Sequence, residues 1–203
     1  MSTQVLSELK KGLTIKDLVT TGIFSALFFI ITMIGGAFFA SNPMLTYVFP
    51  LVVALLPAPV YMLLIAKVPK HGPILILSIL MALLIFVTGM YWLWSVAYVA
   101  CAAIAELISG AGKFKNMKLN MLGYAVFSLN PMGSYIMLWI NQNAYKDYLI
   151  GKGTEAGYMD TMLSLAQGWM LPAMIIGTML FAWLGAWLGE KLLKKQFEKA
   201  GVV

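Results

Sequence analysis

Residues 19–40 read VTTGIFSALFFIITMIGGAFFA, 22 positions without a charge. A hydrocarbon core about 30 Å thick is crossed by about 20 apolar residues of helix. The stretch therefore reads as a membrane span, and its length decides the fold class. Working outward, five more stretches qualify: Leu45–Ala66, Pro73–Met90, Trp92–Ile108, Leu119–Ile140 and Leu165–Leu188. The expected fold is an all-α membrane protein of six transmembrane helices, forming one integral-membrane domain over residues 1–203. The polar opening segment 1–18 is too mixed for a cleavable signal peptide, and the run behind it is too long for one.

Lysines set the orientation. All 14 basic residues are Lys. Twelve fall on one side of the predicted spans: Lys10, Lys11, Lys16, Lys67, Lys70, Lys113, Lys115, Lys118, Lys191, Lys194, Lys195 and Lys199. The positive-inside rule places that side, and with it both the N and C termini, in the cytoplasm. Residues 1–18 become a cytoplasmic N-terminal segment, 141–164 a long outer loop, and 189–203 a basic cytoplasmic tail. The expected location is the bacterial cell membrane, as a multi-pass protein. Spans two, four and six then run inward. Pro131, in the middle of span five, removes a backbone donor and frees a carbonyl that needs another partner, and Pro172 does the same in span six.

Composition excludes other classes. The chain is 61% hydrophobic and 11% charged, against about 25% charged in soluble domains. A net charge of +6 carried without a single Arg does not suit nucleic-acid recognition, which relies on the guanidinium fork. One cysteine, Cys101, and one histidine, His71, are too few for a disulfide framework or a Cys/His zinc site. No P-loop is present, so this chain has no means of its own to hydrolyse ATP. No carboxylate or histidine lies near a span centre, where ion-coupled carriers place them. An embedded hydrolase would also need a deeper histidine. No catalytic residue and no metal ligand is assigned. Glu106, near the cytoplasmic end of span four, reads as a snorkelling carboxylate paired with Lys113 or a backbone donor, with a coupling role as the alternative.

The outer half is rich in aromatics and amides. Tyr91, Trp92, Trp94 and Tyr98 begin span four, Trp139, Asn141 and Tyr145 close span five, and Tyr158, Gln167 and Trp169 lead into span six. Each aromatic alone is also accounted for by an interfacial belt. Asn130, beside Pro131, must find a partner on a helix or on a ligand. Together, Trp92, Trp94, Tyr98, Asn130, Trp139, Asn141, Gln167 and Trp169 form the candidate substrate site, suited to a small, flat, mostly neutral ring. Gly22 and Ala26 stand four apart on one face of span one, a small-xxx-small pair that permits close helix approach. Gly177, Gly185 and Gly189 in span six give the same signal.

Four segments carry a family resemblance across the chain: LTIKDLVTTGIF at 13–24, NMLGYAVFSLNPMG at 120–133, GWMLPAMIIGT at 168–178 and LGEKLLKKQFEKAG at 188–201. They resemble the S components of energy-coupling factor (ECF) transporters, in particular the MptD-type, or Trep-Strep, group. The resemblance implies a subunit that captures a vitamin or vitamin precursor from outside. It implies partners too: a transmembrane scaffold subunit and two ATPase subunits that use ATP and Mg, with no cofactor in this chain. The family's alanine-x-x-x-alanine docking pair maps onto Gly22 and Ala26, with Gly in place of the first Ala. Pocket chemistry favours a small neutral heteroaromatic, and the substrate expected is a pyrimidine or pyridine vitamin precursor such as hydroxymethylpyrimidine or pyridoxine. A stand-alone facilitator or channel for a small neutral solute is the rival reading. A membrane-embedded enzyme and a purely structural protein are weaker ones.

Overall fold

A computed structural model describes residues 12–192 together with Lys194. Among these residues every regular element is helical: α1 Ile15–Ala40, a 3-10 turn Leu45–Tyr47, α2 Phe49–Leu55, α3 Ala58–Lys67, α4 Pro73–Val87, α5 Trp92–Ala111, α6 Met117–Phe127, α7 Met132–Tyr135, α8 Met137–Ile140, α9 Gln142–Gly151, α10 Ala156–Leu165 and α11 Met170–Leu192. Four stretches are long and apolar enough to cross a bilayer: Ile15–Ala40, Phe49–Lys67, Trp92–Ala111 and Met170–Leu192. Helix α4 is apolar but shorter.

Several span boundaries need correction. Span one starts at Ile15, not Val19, because Thr14 and Asp17 form a capping box: the Thr14 hydroxyl accepts from Asp17 N at 3.2 Å, and the Asp17 carboxylate accepts from Thr14 N at 2.8 Å. This satisfies two of the donors that a helix start leaves open. Span two is broken at Pro57, and its first three residues form a 3-10 turn. Span five is not one helix. It stops at Phe127 and resumes as the two single turns α7 and α8. Span six begins at Met170, so Pro172 lies in the first turn, where no intrahelical N–H is lost. The predicted loop 141–164 is mostly helix, α9 and α10. Of the predicted tail 189–203, Leu193 and residues 195–203 lie outside the described residues, as do residues 1–11 of the N-terminal segment.

Packing is inside-out relative to a soluble bundle. On α1 the buried positions are Thr21, Ser25, Phe28, Thr32 and Gly36, while Ile15, Val19, Ile23, Ile34 and Phe38 are exposed. In lipid the apolar side chains need no burial, whereas polar groups must find partners inside. The hydroxyls of Thr21, Ser25 and Thr32 donate to the carbonyls of Asp17, Thr21 and Phe28 one turn back. Glycines allow the close crossings. A Cβ at Gly36 would lie 2.5 Å from Phe49, and one at Gly185 would lie 2.8 Å from Ala58 Cβ. Gly177 and Gly189 similarly face Leu51 and Pro59. The small residues of span six thus serve packing within the chain, against α2 and α3, and not an outer contact face.

Contacts across the chain define two ends. At one, Lys70 pairs with Asp17 at 2.8 Å, and the His71 ring meets Phe114 edge-on. The Glu106 carboxylate, buried here, accepts from the backbone N–H groups of Gly72 and Leu75 and so caps the start of α4. Glu106 is therefore held by the backbone-donor alternative rather than by Lys113, with His71 Nδ1 also 3.4 Å from its Oε1. At the other end, Tyr158 donates to Ala40 O at 2.8 Å, and Lys146 pairs with Asp160 between α9 and α10.

Candidate functional site

A cavity of about 630 Å³ lies at the end opposite Glu106. The closing part of α1, the 3-10 turn, the start of α2, the end of α4, the opening turn of α5, α7, α9 and α10 all contribute to its wall. Buried lining residues from the bundle form the floor: Thr32, Gly36, Thr46, Phe49, Ile85, Trp94, Ser134 and Tyr135. Exposed ones, including Ala37, Ser41, Thr88, Met90 and Glu155, form the rim.

Helices α9 and α10 roof this space because tyrosines tie them to the bundle. Tyr145 on α9 shares a 3.1 Å hydrogen bond with Ser134. Tyr47 donates to Met162 O on α10 at 2.6 Å, and Tyr158 of α10 reaches Ala40 O. Below them the Tyr135 hydroxyl bridges both the hydroxyl and the carbonyl of Thr46, each at 2.8 Å. Burial pushes the Tyr145 hydroxyl up to about 12, and burial also raises that of Tyr158. The roof therefore contributes neutral phenols, not phenolates, across the physiological range.

The aromatic wall is held rigidly. The ring of Trp94 meets that of Phe49 at 5.7 Å edge-to-face and stacks on Tyr98 at 6.4 Å. Its indole N–H donates to Asn130 Oδ1 at 2.7 Å. Asn130 Nδ2 donates in turn to Phe127 O at 2.8 Å, the carbonyl that Pro131 would have bonded had it an N–H. Asn130 thus gives this carbonyl a second donor beside its own backbone N–H, which reaches it at 3.2 Å, and orients the indole.

The structure brings only part of the sequence-derived site together. Trp94 lines the cavity. Tyr98 and Asn130 stand directly behind it, buried, without lining the space. Trp139, Gln167 and Trp169 make a separate cluster: Trp139 donates to Gln167 O at 3.1 Å, and Trp169 donates to Gln167 Oε1 at 2.6 Å. Trp92 and Trp169 are exposed to the surroundings as belt residues are. Asn141 caps α9 by accepting from Ala144 N. Neither that cluster, Trp92 nor Asn141 contributes to the cavity wall.

Thr32, Thr46, Ser134 and Tyr135 were not singled out by sequence. The signal for Thr32 was available: Thr21, Ser25 and Thr32 repeat at helical spacing on one face of an otherwise apolar span. Nothing comparable marked Thr46 or Tyr135, which meet only because the broken fifth span returns beside the 3-10 turn. Gly22 and Ala26 are exposed on α1, on a flank beside its buried hydroxyl face, and a Cβ at Gly22 would meet nothing within 4 Å among the described residues.

Apolar spanning helices, an inward-turned hydroxyl face and an apolar exterior define a multi-pass integral membrane protein. Over residues 15–199 the chain belongs to the family described as hypothetical bacterial integral membrane protein (Trep_Strep). No curated protein and no solved structure matches it.

Proposed function

We propose that this protein is a substrate-capture subunit of the S-component kind, binding a small ring compound at the outer face and delivering it through an ATP-driven complex. The observation that carries this reading is the roofed cavity at the lysine-poor end. Its volume of about 630 Å³ lies within the range of about 300–1,000 Å³ usual for small-molecule sites. The positive-inside rule puts that end outside, and the termini and most lysines inside. Shorter apolar helices complete six crossings: α4 serves as the third, and α6 to α8 as the broken fifth.

The wall of Trp94, Phe49 and three tyrosines suits a flat ring the size of a pyrimidine or pyridine vitamin precursor. Energy comes from partners: a transmembrane scaffold subunit and two ATPases that use ATP and Mg. The open Gly22–Ala26 face supports docking there, since no side chain among the described residues covers it. The protein itself carries no catalytic group in this scheme.

Affinity purification of the tagged chain from native membranes in mild detergent, followed by mass spectrometry, tests the reading. Recovery of ATPase subunits with one further membrane subunit is the expected result. A solitary chain that transports solute in liposomes would replace it with a stand-alone facilitator.

A further inference from the structure

The hydrogen-bond polarity of the cavity is lopsided. Thr32, Ser41 and Thr88 each donate their hydroxyl hydrogen to a carbonyl of their own helix. Tyr158 donates to Ala40 O and Tyr135 to Thr46 O, which leaves Thr46 Oγ1 to donate to the Tyr135 oxygen. The Trp94 indole N–H is held by Asn130. Ser134 and Tyr145 share one bond and so retain a single hydrogen between them, and the Thr154 hydroxyl in the wall keeps its own. What these oxygens keep is lone pairs, since a hydroxyl has two acceptor sites and one donor. Glu155, at the rim, adds a carboxylate and is the one charged lining residue among those described. The nearby cation of Lys152 lies over the Tyr148 ring, and neither residue belongs to the wall.

We infer that the cavity selects ligands that donate hydrogen bonds, flat rings bearing an amino, amide or ammonium group, and rejects anions and rings that only accept. This deepens the proposed function and rests on its reading of the cavity as the binding site. A ring-borne N–H would meet unmatched oxygens. A carboxylate would meet lone pairs and Glu155, and would lose its hydration without replacement.

The test uses the full chain in detergent and four pyridines that differ at one substituent: nicotinamide, 3-(aminomethyl)pyridine, methyl nicotinate and nicotinate. Binding is read by ligand-observed NMR and competition. The two donors are expected to bind about tenfold tighter than the two acceptors, roughly the worth of one good hydrogen bond. The near-isosteric Thr32→Val, which removes one acceptor oxygen from the floor, should narrow that gap without changing thermal stability much. Met33→Trp, which fills the space from its lining side, should weaken all four.

Equal or reversed preference, still sensitive to Met33→Trp, would overturn the donor rule while leaving the cavity as the site. Binding indifferent to both variants, or no saturable binding by any of the four, would overturn the donor rule and the cavity reading together.

Discussion

Trp94 donates its indole N–H to Asn130 Oδ1 at 2.7 Å, and the same amide donates onward to the Phe127 carbonyl, which Pro131 cannot reach and which also accepts from the Asn130 backbone N–H at 3.2 Å. One side chain thereby joins the break in the fifth span to the aromatic wall of the cavity. The bend in the helix and the setting of the ring are a single device.

Asn130→Leu removes both bonds and leaves a buried indole N–H unpaired. The expected cost is about 1–2 kcal/mol, the scale of polar side-chain contacts inside membranes. Thermal unfolding in detergent measures it. In a Trp94→Phe background the cost of Asn130→Leu should shrink, because the orphaned donor is gone. Equal costs in both backgrounds would show that the two residues are not coupled.

Two glycines should behave oppositely. At Gly185 a new side chain meets the α2–α3 segment, with Ala58 Cβ 2.8 Å from the added carbon. Gly185→Leu should therefore cost about 1–3 kcal/mol or abolish folding, as overpacking does. At Gly22 nothing lies within 4 Å, so Gly22→Leu should leave yield and melting temperature unchanged. If α1 docks on a scaffold subunit through this face, Gly22→Leu and Ala26→Leu abolish co-purification while ligand binding survives. Intact co-purification of the double variant would remove α1 as the docking helix.

Glu106 caps α4 through the N–H groups of Gly72 and Leu75, where the helix dipole also favours a negative charge. Glu106→Ala leaves those donors buried without acceptors, at a cost of about 1–3 kcal/mol. Glu106→Gln keeps one acceptor oxygen and should lose less. Backbone hydrogen exchange at the start of α4 would locate the effect. An unchanged exchange pattern in Glu106→Ala would show that the carboxylate is not the cap.

The Tyr145 hydroxyl, pushed up by burial to about 12, gives a pH signature. An unfolded phenol ionises near about 10, so above that pH the unfolded chain releases a proton that the folded chain keeps. This contribution to stability is complete below about pH 10 and lost as pH rises toward about 12. Tyr145→Phe should flatten the stability curve across that window. A tyrosinate titration showing all tyrosines ionising together near about 10 would contradict the burial of this group.

Much of the architecture was legible one residue at a time. Hydrophobic run length picked out the four helices long and apolar enough to cross a bilayer, because the bilayer imposes a thickness on sequence. Pro131 announced a carbonyl in need of a partner. The capping box of Thr14 and Asp17 was equally local, and reading it would have placed the start of α1 correctly.

The site was less legible. Aromatic and amide content pointed to the end of the bundle that holds the cavity, yet of the eight residues chosen only Trp94 reaches the cavity wall. Trp92 and Trp169 are as apolar and as close to the interface as Trp94, and composition cannot tell a ring that faces out from one that faces in.

What the sequence determined by itself is the class: a helical membrane protein with long apolar helices. Only tertiary structure decided which hydroxyls meet. Thr46 and Tyr135 are 89 positions apart, as are no two residues a local pattern could relate. Their bond exists because the helix stops at Phe127 and the chain resumes in α7, which sets Tyr135 beside the 3-10 turn. In a bilayer, polar groups must be satisfied inside the protein, so their partners are fixed by which helices pack together, and that is a property of the assembled bundle.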